Sequence, residues 1–278
     1  MRHELILTGG LGNQLFVVLE ALRRSLTSGH PVTLNVTEYK STLRADRPFA
    51  VGQLLHDLEQ SVNLEMGCFA NYRYWACRII RRLGVVQVEP LGLPGDAVLS
   101  CTTFPGWKTH LAYFQYFNGS PLEHRALELL RELFHLDPLH TKPENLALHL
   151  RRGDYLLPQH AIHGTVPLKA SLNEASRAIA ESGFKAVTVF TDSPEQLDLA
   201  ELNLLDVPFR IDEGGDPVSV FRRMAAHGGI VASNSSFSLW AALLGTPRYF
   251  SMPSTWMKGV NSDVLGFPDK RRYPCTLL

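Results

Sequence analysis

Leu146-Ala147-Leu148-His149-Leu150-Arg151-Arg152-Gly153-Asp154-Tyr155 decides how the chain is read. Its first five residues are an apolar run between a turn signal at Pro143 and Gly153, the pattern of a buried strand. On a strand alternate side chains share a face, which sets His149 and Arg151 one way and Arg152 the other. Two unpaired arginines inside a sheet are costly. At the carboxyl edge of a parallel sheet, where ligands bind, one of them can hold a phosphate by two parallel hydrogen bonds. The competing use is an ion pair with Asp154, expected of Arg152 more than of Arg151.

Downstream the chain alternates. Ser171-x-x-Glu174 predicts a helix ending near Gly183, and Ala186-Val187-Thr188-Val189-Phe190 a buried strand running into Thr191-Asp192. Ser193-Pro194-Glu195-Gln196 predicts another capped helix, followed by a short strand over Phe209-Arg210-Ile211. Asp216-Pro217 starts a helix that stops at Gly228. Gly229-Ile230-Val231-Ala232 is the next strand and leads into Ser233-Asn234-Ser235-Ser236. A helix through Leu239, Trp240, Leu243 and Leu244 and a strand over Arg248-Tyr249-Phe250 complete the pattern. Strands alternating with helices of this length imply a parallel sheet covered on both faces.

Upstream, Leu5-Ile6-Leu7 and Val32-Thr33-Leu34-Asn35-Val36 flank a helix from about 13 to 28. Its apolar stripe is Leu15, Val18, Leu19, Leu22 and Leu26, and Gly29 stops it. The turn before it, Gly9-Gly10-Leu11-Gly12-Asn13-Gln14, lets backbone approach a ligand at a helix N-terminus. It is not the dinucleotide fingerprint: Leu15 stands at the third glycine position, and no acidic residue closes the following strand. Ser120-Pro121-Leu122-Glu123 is a capping box, and Pro138 to Asn145 reads as a linker. The expected fold is therefore α/β, with two Rossmann-like lobes over 1–140 and 144–278 and the active-site cleft between them. Residues 40–110 carry no clear period. Phe69 to Arg82 mixes aromatics with four arginines and suits a solvated helix with a packed aromatic side, or a basic amphipathic helix in peripheral contact with a membrane. Trp107 to Phe117 is aromatic enough for a sugar-stacking wall or a core strand.

The 27 basic and 27 acidic residues of this 278-residue chain cancel, which argues against a nucleic-acid binder held by bulk charge. Cys68, Cys77, Cys101 and Cys275 have neither CxxC nor metal-ligand spacing and are expected to be reduced thiols. No signal peptide and no apolar run of membrane-spanning length is present, so a cytoplasmic protein is expected.

Three strand ends carry polar clusters: Arg151-Arg152-Gly153-Asp154, Thr191-Asp192-Ser193 and Ser233-Asn234-Ser235-Ser236. In a parallel sheet they share one edge, and the last also begins a helix, where N–H groups and dipole favour an anion. Asp192, Ser193 and Asn234 are equally what plain helix caps look like. An arginine beside a serine-rich helix start suits a diphosphate. There is no Asp-x-Asp to gather a divalent ion on it, so a metal-free neutralisation by Arg151 and the helix is expected.

Gly9-Gly10-Leu11-Gly12-Asn13-Gln14-Leu15-Phe16, His149-Leu150-Arg151-Arg152-Gly153-Asp154-Tyr155, Phe190-Thr191-Asp192-Ser193 and Ser233-Asn234-Ser235-Ser236-Phe237-Ser238 together resemble the ordered motifs of glycosyltransferase family 11, the α-1,2-fucosyltransferases. Tyr113-Phe114-Gln115 is similar to a further family stretch, and the resemblance runs from residue 5 to about 257. It implies a GT-B-like fold and inverting, metal-free transfer of L-fucose from GDP-β-L-fucose to the 2-hydroxyl of a galactoside acceptor, with no cofactor besides the donor. It also implies that Arg151 binds the β-phosphate beside His149 and that Ser235 and Ser236 hold the phosphate from the helix start. Gly10, Gly12, Asp192, Asn234 and Phe237 complete the donor side, and Asn13 and Gln14 meet the donor or the acceptor from the first lobe. Asp154, His160 and His163 are the nearest candidates for the base, with Asp154 suited equally to ordering the turn. The corresponding place of a glutamate in a related core-fucosylating enzyme is about Gln159. Val220 stands where family members carry an aspartate, and Asp216 is the nearby carboxylate, which leaves the nucleotide base open between guanine and another. An NAD oxidoreductase and an inactive glycan-binding protein are the competing classes. The first lacks its fingerprint and its ribose-binding acid.

Overall fold

The computed structural model describes residues 2–30, 32–40, 48–52, 64–67, 71–83, 88–90, 97–104, 107–134, 142–267 and 271–278. They fall into two compact units, Met1–Phe134 and His135–Leu278.

The first unit runs β1 (Arg2–Ile6), α1 (Leu11–Ser28), β2 (Val32–Asn35), α2 (Thr37–Lys40), β3 (Leu64–Gly67), α3 (Asn71–Leu83), β4 (Val88–Pro90), β5 (Ala97–Phe104), β6 (Trp107–Leu111) and α4 (Pro121–Phe134). The strand order is β3-β2-β1-β6-β5-β4. The first four are parallel, while β5 pairs antiparallel with β6 and β4. α1 buries Leu15, Val18, Leu19 and Leu22 and ends on Gly29 in the left-handed region, where a residue with a Cβ is strained. At α4 Ser120 Oγ accepts from Glu123 N at 3.2 Å, and the Glu123 carboxylate accepts from the N–H groups of Asn118 and Gly119. The Ser120 half of the expected capping box is thus formed, while Glu123 reaches the two N–H groups ahead of Ser120, whose own N–H goes to Asn118 Oδ1.

α3 turns Tyr74 and Cys77 onto Ile6, Leu99 and Cys101. Its Arg73 reaches the wholly buried Glu4 of β1 with a forked contact of 2.8–3.0 Å, and Glu4 also accepts from Thr109 and Asn35. A carboxylate buried in a sheet is tolerable only with such a set of donors. Part of the helix's positive charge thus neutralises the interior, and Tyr72, Trp75 and Ile79 remain exposed. Among the described residues no helix is long and apolar enough to cross a membrane. Of the Trp107–Phe117 stretch only 107–111 is strand, followed by an irregular segment in which buried Phe114 has a φ of 54°. Cys68 and residues 138–141 of the expected linker lie outside the described residues, and Cys77, Cys101 and Cys275 are free thiols.

The second unit runs β7 (Lys142–Leu150), α5 (Leu168–Ser182), β8 (Ala186–Thr191), α6 (Leu199–Leu202), β9 (Phe209–Ile211), α7 (Pro217–Ala225), β10 (His227–Val231), α8 (Ser236–Gly245), β11 (Tyr249–Pro253), β12 (Thr255–Met257), β13 (Val260–Asn261) and β14 (Arg272–Tyr273). Its main sheet, β14-β11-β10-β7-β8-β9, is parallel throughout. β7 is central, which is why Leu146, Ala147, Leu148 and Leu150 form a continuous apolar run rather than alternating.

Several boundaries differ from expectation. Lys142 to Asn145 belong to β7 rather than to a linker. α5 begins at Leu168 behind Pro167, and Ser171 is buried inside it instead of capping it. Ser193-Pro194-Glu195-Gln196 makes one 3₁₀ turn, and the helix that follows is capped by Asp198. α7 stops at Ala225, and Gly228 lies within β10, where the Pro143 backbone leaves no room for a Cβ.

Candidate functional site

β7 ends at Leu150, so Arg151 and Arg152 follow the turn beyond it rather than the two-residue alternation of a strand. The turn is built from β8. Asp192 Oδ1 accepts from Arg152 N at 2.9 Å, and Ser193 Oγ accepts from Gly153 N at 3.1 Å. Asp192 and Ser193 therefore shape the neighbouring strand end and do not cap a helix. A Cβ on Gly153 would sit on the Asp192 carboxylate, so the turn needs glycine for space. Gly153→Ala is expected to lower the unfolding free energy by about 1–2 kcal/mol. An unchanged urea midpoint would show that Asp192 moves aside freely.

The Arg151 guanidinium lies between two carboxylates. It donates to Asp154 Oδ1 at 2.6 Å and meets Asp192 Oδ2 at 2.9 Å. The pairing with Asp154 expected of Arg152 is thus made by Arg151, because Gly153–Leu156 is a 3₁₀ turn and not a continuation of the strand. Two of the five N–H groups of Arg151 are engaged in these pairs. Arg152 has no ion-pair partner among the described residues, and its Nε is buried without an acceptor there.

His149 is 5% exposed on β7, with Nδ1 3.4 Å from Ser233 Oγ and its ring 6.0 Å from that of Phe237. Burial, with the Arg151 charge second, holds its pKa down to about 3, so the ring is neutral at pH 7. It sits under the edge as packing between β7 and the start of α8. In the serine-rich loop, Ser235 caps α8 through Phe237 N, and Ser236 opens the helix. Asn234 is buried, and its amide nitrogen donates to the carbonyls of His163, Gly164 and Trp256 at 2.9–3.2 Å. It is a clamp that ties the loop after β7 to the loop after β10.

His163 is stacked on Tyr155, with ring centroids 4.8 Å apart and planes 14° apart. Burial, followed by the charge of His160, lowers its pKa, and Asp154 opposes them. His163 is thus a neutral imidazole at pH 7, able to accept a proton. His160 lies 6.0 Å from it, and the side chain of Gln159 lies outside the described residues. Tyr155, to which the sequence assigns no role, also has Arg151 Cζ 5.4 Å from its ring and donates its hydroxyl to Asn234 O at 3.2 Å.

Asp216, the carboxylate nearest Val220, caps α7 by accepting from Val218 N and Ser219 N. Asp212 at the end of β9 is forked by Arg223 at 2.7–2.8 Å. Both carboxylates are committed within the unit.

The remaining expected residues belong to the first unit. Gly10 is the N-cap of α1 and Gly12 is buried in its first turn, while Gly9 has a φ of 76° and lies against Asn13. Asn13 Oδ1 accepts from Gln115 Nε2 at 2.8 Å. Gln14 is wholly buried; its nitrogen donates to Gly9 O and Pro48 O, and its oxygen accepts from Val51 N. Gln14 thus holds the loop together from beneath it. Among the described residues no group of three or more His, Cys, Asp or Glu is placed to hold a metal ion.

No protein-family model matches the chain, and no curated protein does. Solved structures do. The E. coli heptosyltransferase WaaC with ADP-2-deoxy-2-fluoro heptose matches at TM-score 0.48 and 12% identity, over 99% of this chain and 93% of that one. POFUT1 in complex with GDP-fucose matches at 0.43 and 11%, over 90% and 97%. NodZ α-1,6-fucosyltransferase soaked with GDP-fucose matches at 0.43 and 14%, over 88% and 93%. The likeness is loose at these values.

Proposed function

We propose that the protein is an inverting, metal-independent glycosyltransferase that moves L-fucose from GDP-β-L-fucose to the 2-hydroxyl of a galactose-containing glycan. The observation that carries this reading is the Arg151 fork, gripped by Asp154 and Asp192 at the end of the central strand and next in the sheet to the serine-rich start of α8. A displacement at the anomeric carbon needs its departing diphosphate neutralised by groups already in place. Arg151 keeps three N–H groups beyond its two carboxylate contacts, and the two aspartates fix their direction. Arg152 adds a second cation that no carboxylate among the described residues offsets. The first-turn N–H groups of α8 add partial positive charge without a proton to lose. Together these do the work of a divalent ion.

The same displacement needs a base for the acceptor hydroxyl. His163 takes that role, since its ring is neutral at pH 7 while the Asp154 carboxylate is spent on Arg151. The first unit, where Asn13 at the start of α1 accepts from Gln115, is the acceptor side in this reading.

A donor with another nucleotide base is the alternative, since Val220 offers no carboxylate and the nearby Asp216 already caps α7 through Oδ1.

The test is ligand stabilisation followed by a donor screen. GDP is expected to raise the thermal midpoint and NAD to leave it unchanged. GDP-fucose is expected to give product on lactose or N-acetyllactosamine in excess chelator, where GDP-mannose and UDP-sugars do not. A shift with NAD alone, or transfer that needs added metal, would overturn the reading.

A further inference from the structure

We infer that Tyr155 is a positioning residue that sets the His163 ring beside the Arg151 guanidinium, an assignment whose catalytic meaning rests on the transfer reaction proposed above. Three contacts close a ring. The Tyr155 phenol stacks on the His163 imidazole at 4.8 Å, its hydroxyl donates to Asn234 O at 3.2 Å, and Asn234 Nδ2 donates to His163 O at 2.9 Å. Both the side chain and the backbone of His163 are thereby referred to one tyrosine. The same tyrosine has Arg151 Cζ 5.4 Å from its ring centroid, a cation–π distance.

Tyr155 is itself held. It lies in the 3₁₀ turn Gly153–Leu156, its N–H donates to Arg152 O, and the turn is pinned through Asp192 and Ser193. Positional information thus runs from β8 through the turn to the phenol and on to His163. The chemistry suits tyrosine in particular. A phenyl ring can stack on the imidazole but leaves the Asn234 carbonyl without this donor, and an aliphatic side chain can do neither. The charged and titratable groups around the His163 ring are His160, Asp154 and Arg151. Only Asp154 favours the protonated ring, and it is shared with Arg151.

The experiment compares the full chain with Tyr155→Phe and Tyr155→Leu. The titration of the His163 ring is followed by NMR, with His163→Gln used only to assign its signal. The wild type and Tyr155→Phe are expected to share a midpoint below the ordinary histidine value, and Tyr155→Leu to move it upward as the covering ring is lost. In the transfer assay Tyr155→Leu is expected to lower kcat by about 10²-fold with donor KM within about threefold, since a misplaced base slows the chemistry more than binding. Its acid limb should move with the His163 midpoint, and Tyr155→Phe should recover most of the rate. If Tyr155→Leu does not fold, Tyr155→Met carries the same comparison. An unchanged His163 midpoint in the aliphatic variant overturns the proposal. So does a rate loss shared equally by Phe and Leu without movement of the pH profile. Should the wild type transfer no sugar from any donor, the proposed reaction fails, and the NMR titration still decides whether Tyr155 places the ring.

Discussion

Arg151→Ala is expected to lower transfer by about 10³-fold or more while the second unit still folds. The lower bound follows from what removal of one preorganised donor costs at a developing oxyanion, about 10²–10³-fold. Arg151 offers more than one donor together with a full charge. The substitution has a second consequence that phosphate binding alone does not predict. Asp154 and Asp192 both lean on this guanidinium, and its loss leaves two carboxylates facing each other. Arg151 and the two aspartates are each a fifth to a quarter exposed, so solvent screens much of that repulsion, and a fall of a few degrees in the thermal midpoint is expected. Arg151→Lys keeps the charge but cannot touch both aspartates and a phosphate at once; it is expected to retain stability better than activity. Steady-state rates for the two variants, with midpoints alongside, check this. Transfer by Arg151→Ala within tenfold of the wild type would remove the phosphate role.

The second unit is the more legible of the two in sequence, for a physical reason. β7 in its second half, β8 and β10 are buried on both faces, so each shows as a mostly apolar run, and α8 is apolar nearly all round because it too is enclosed. In the first unit β3, β4 and β5 leave no such trace. They are short or lie toward an edge, and two of their pairings run antiparallel, so nothing in their local composition demands a strand. At the site the residue types are legible and their partners are not. Which arginine meets Asp154 depends on the turn after Leu150, and that turn is dictated by Asp192, some forty positions away. The same distance problem hides the tie of Tyr155 to Asn234, which arrives from the loop after β10, while His163 follows in the same connection between β7 and α5. Asp216 is the opposite case: Asp-Pro ahead of an apolar pattern is a helix cap on sequence alone, and it is a cap.

Acidification is expected to unfold the second unit more steeply than the first. Among the described residues three histidines are enclosed as neutral rings: His110 in the first unit, His149 and His227 in the second. Burial holds their pKa values down to about 3, 3 and 4. For His110 the hydrogen bonds independently require a neutral ring. Arg24 can only donate to His110 Nε2, so that atom is an unprotonated acceptor. His227 Nδ1 donates to Arg223 O at 2.8 Å, and its Nε2 lies 3.0 Å from the Thr188 hydroxyl, a contact that either ring state can make. In the unfolded chain each ring has an ordinary pKa near 6.5, so above that pH neither state binds the proton and there is no penalty. As pH falls below it the unfolded chain is protonated first, and stability declines until the folded values are reached. The slope is at most roughly 1.4 kcal/mol per pH unit for each histidine, hence about 2.7 for the second unit and about 1.4 for the first. Half-buried His163 and His3 act in the same direction in their respective units. Between pH 6.5 and 5 the second unit is therefore expected to lose about 3 kcal/mol, a large share of an ordinary domain's stability. Urea unfolding at pH 7.5, 6.5 and 5.5, followed by probes in each unit, measures the two slopes. Equal midpoints at 7.5 and 5.5 would mean that the rings admit a proton without loss. His227→Gln, which keeps a donor and an acceptor but cannot be protonated, should remove about one proton's worth of slope from the second unit and leave the first unit's unchanged.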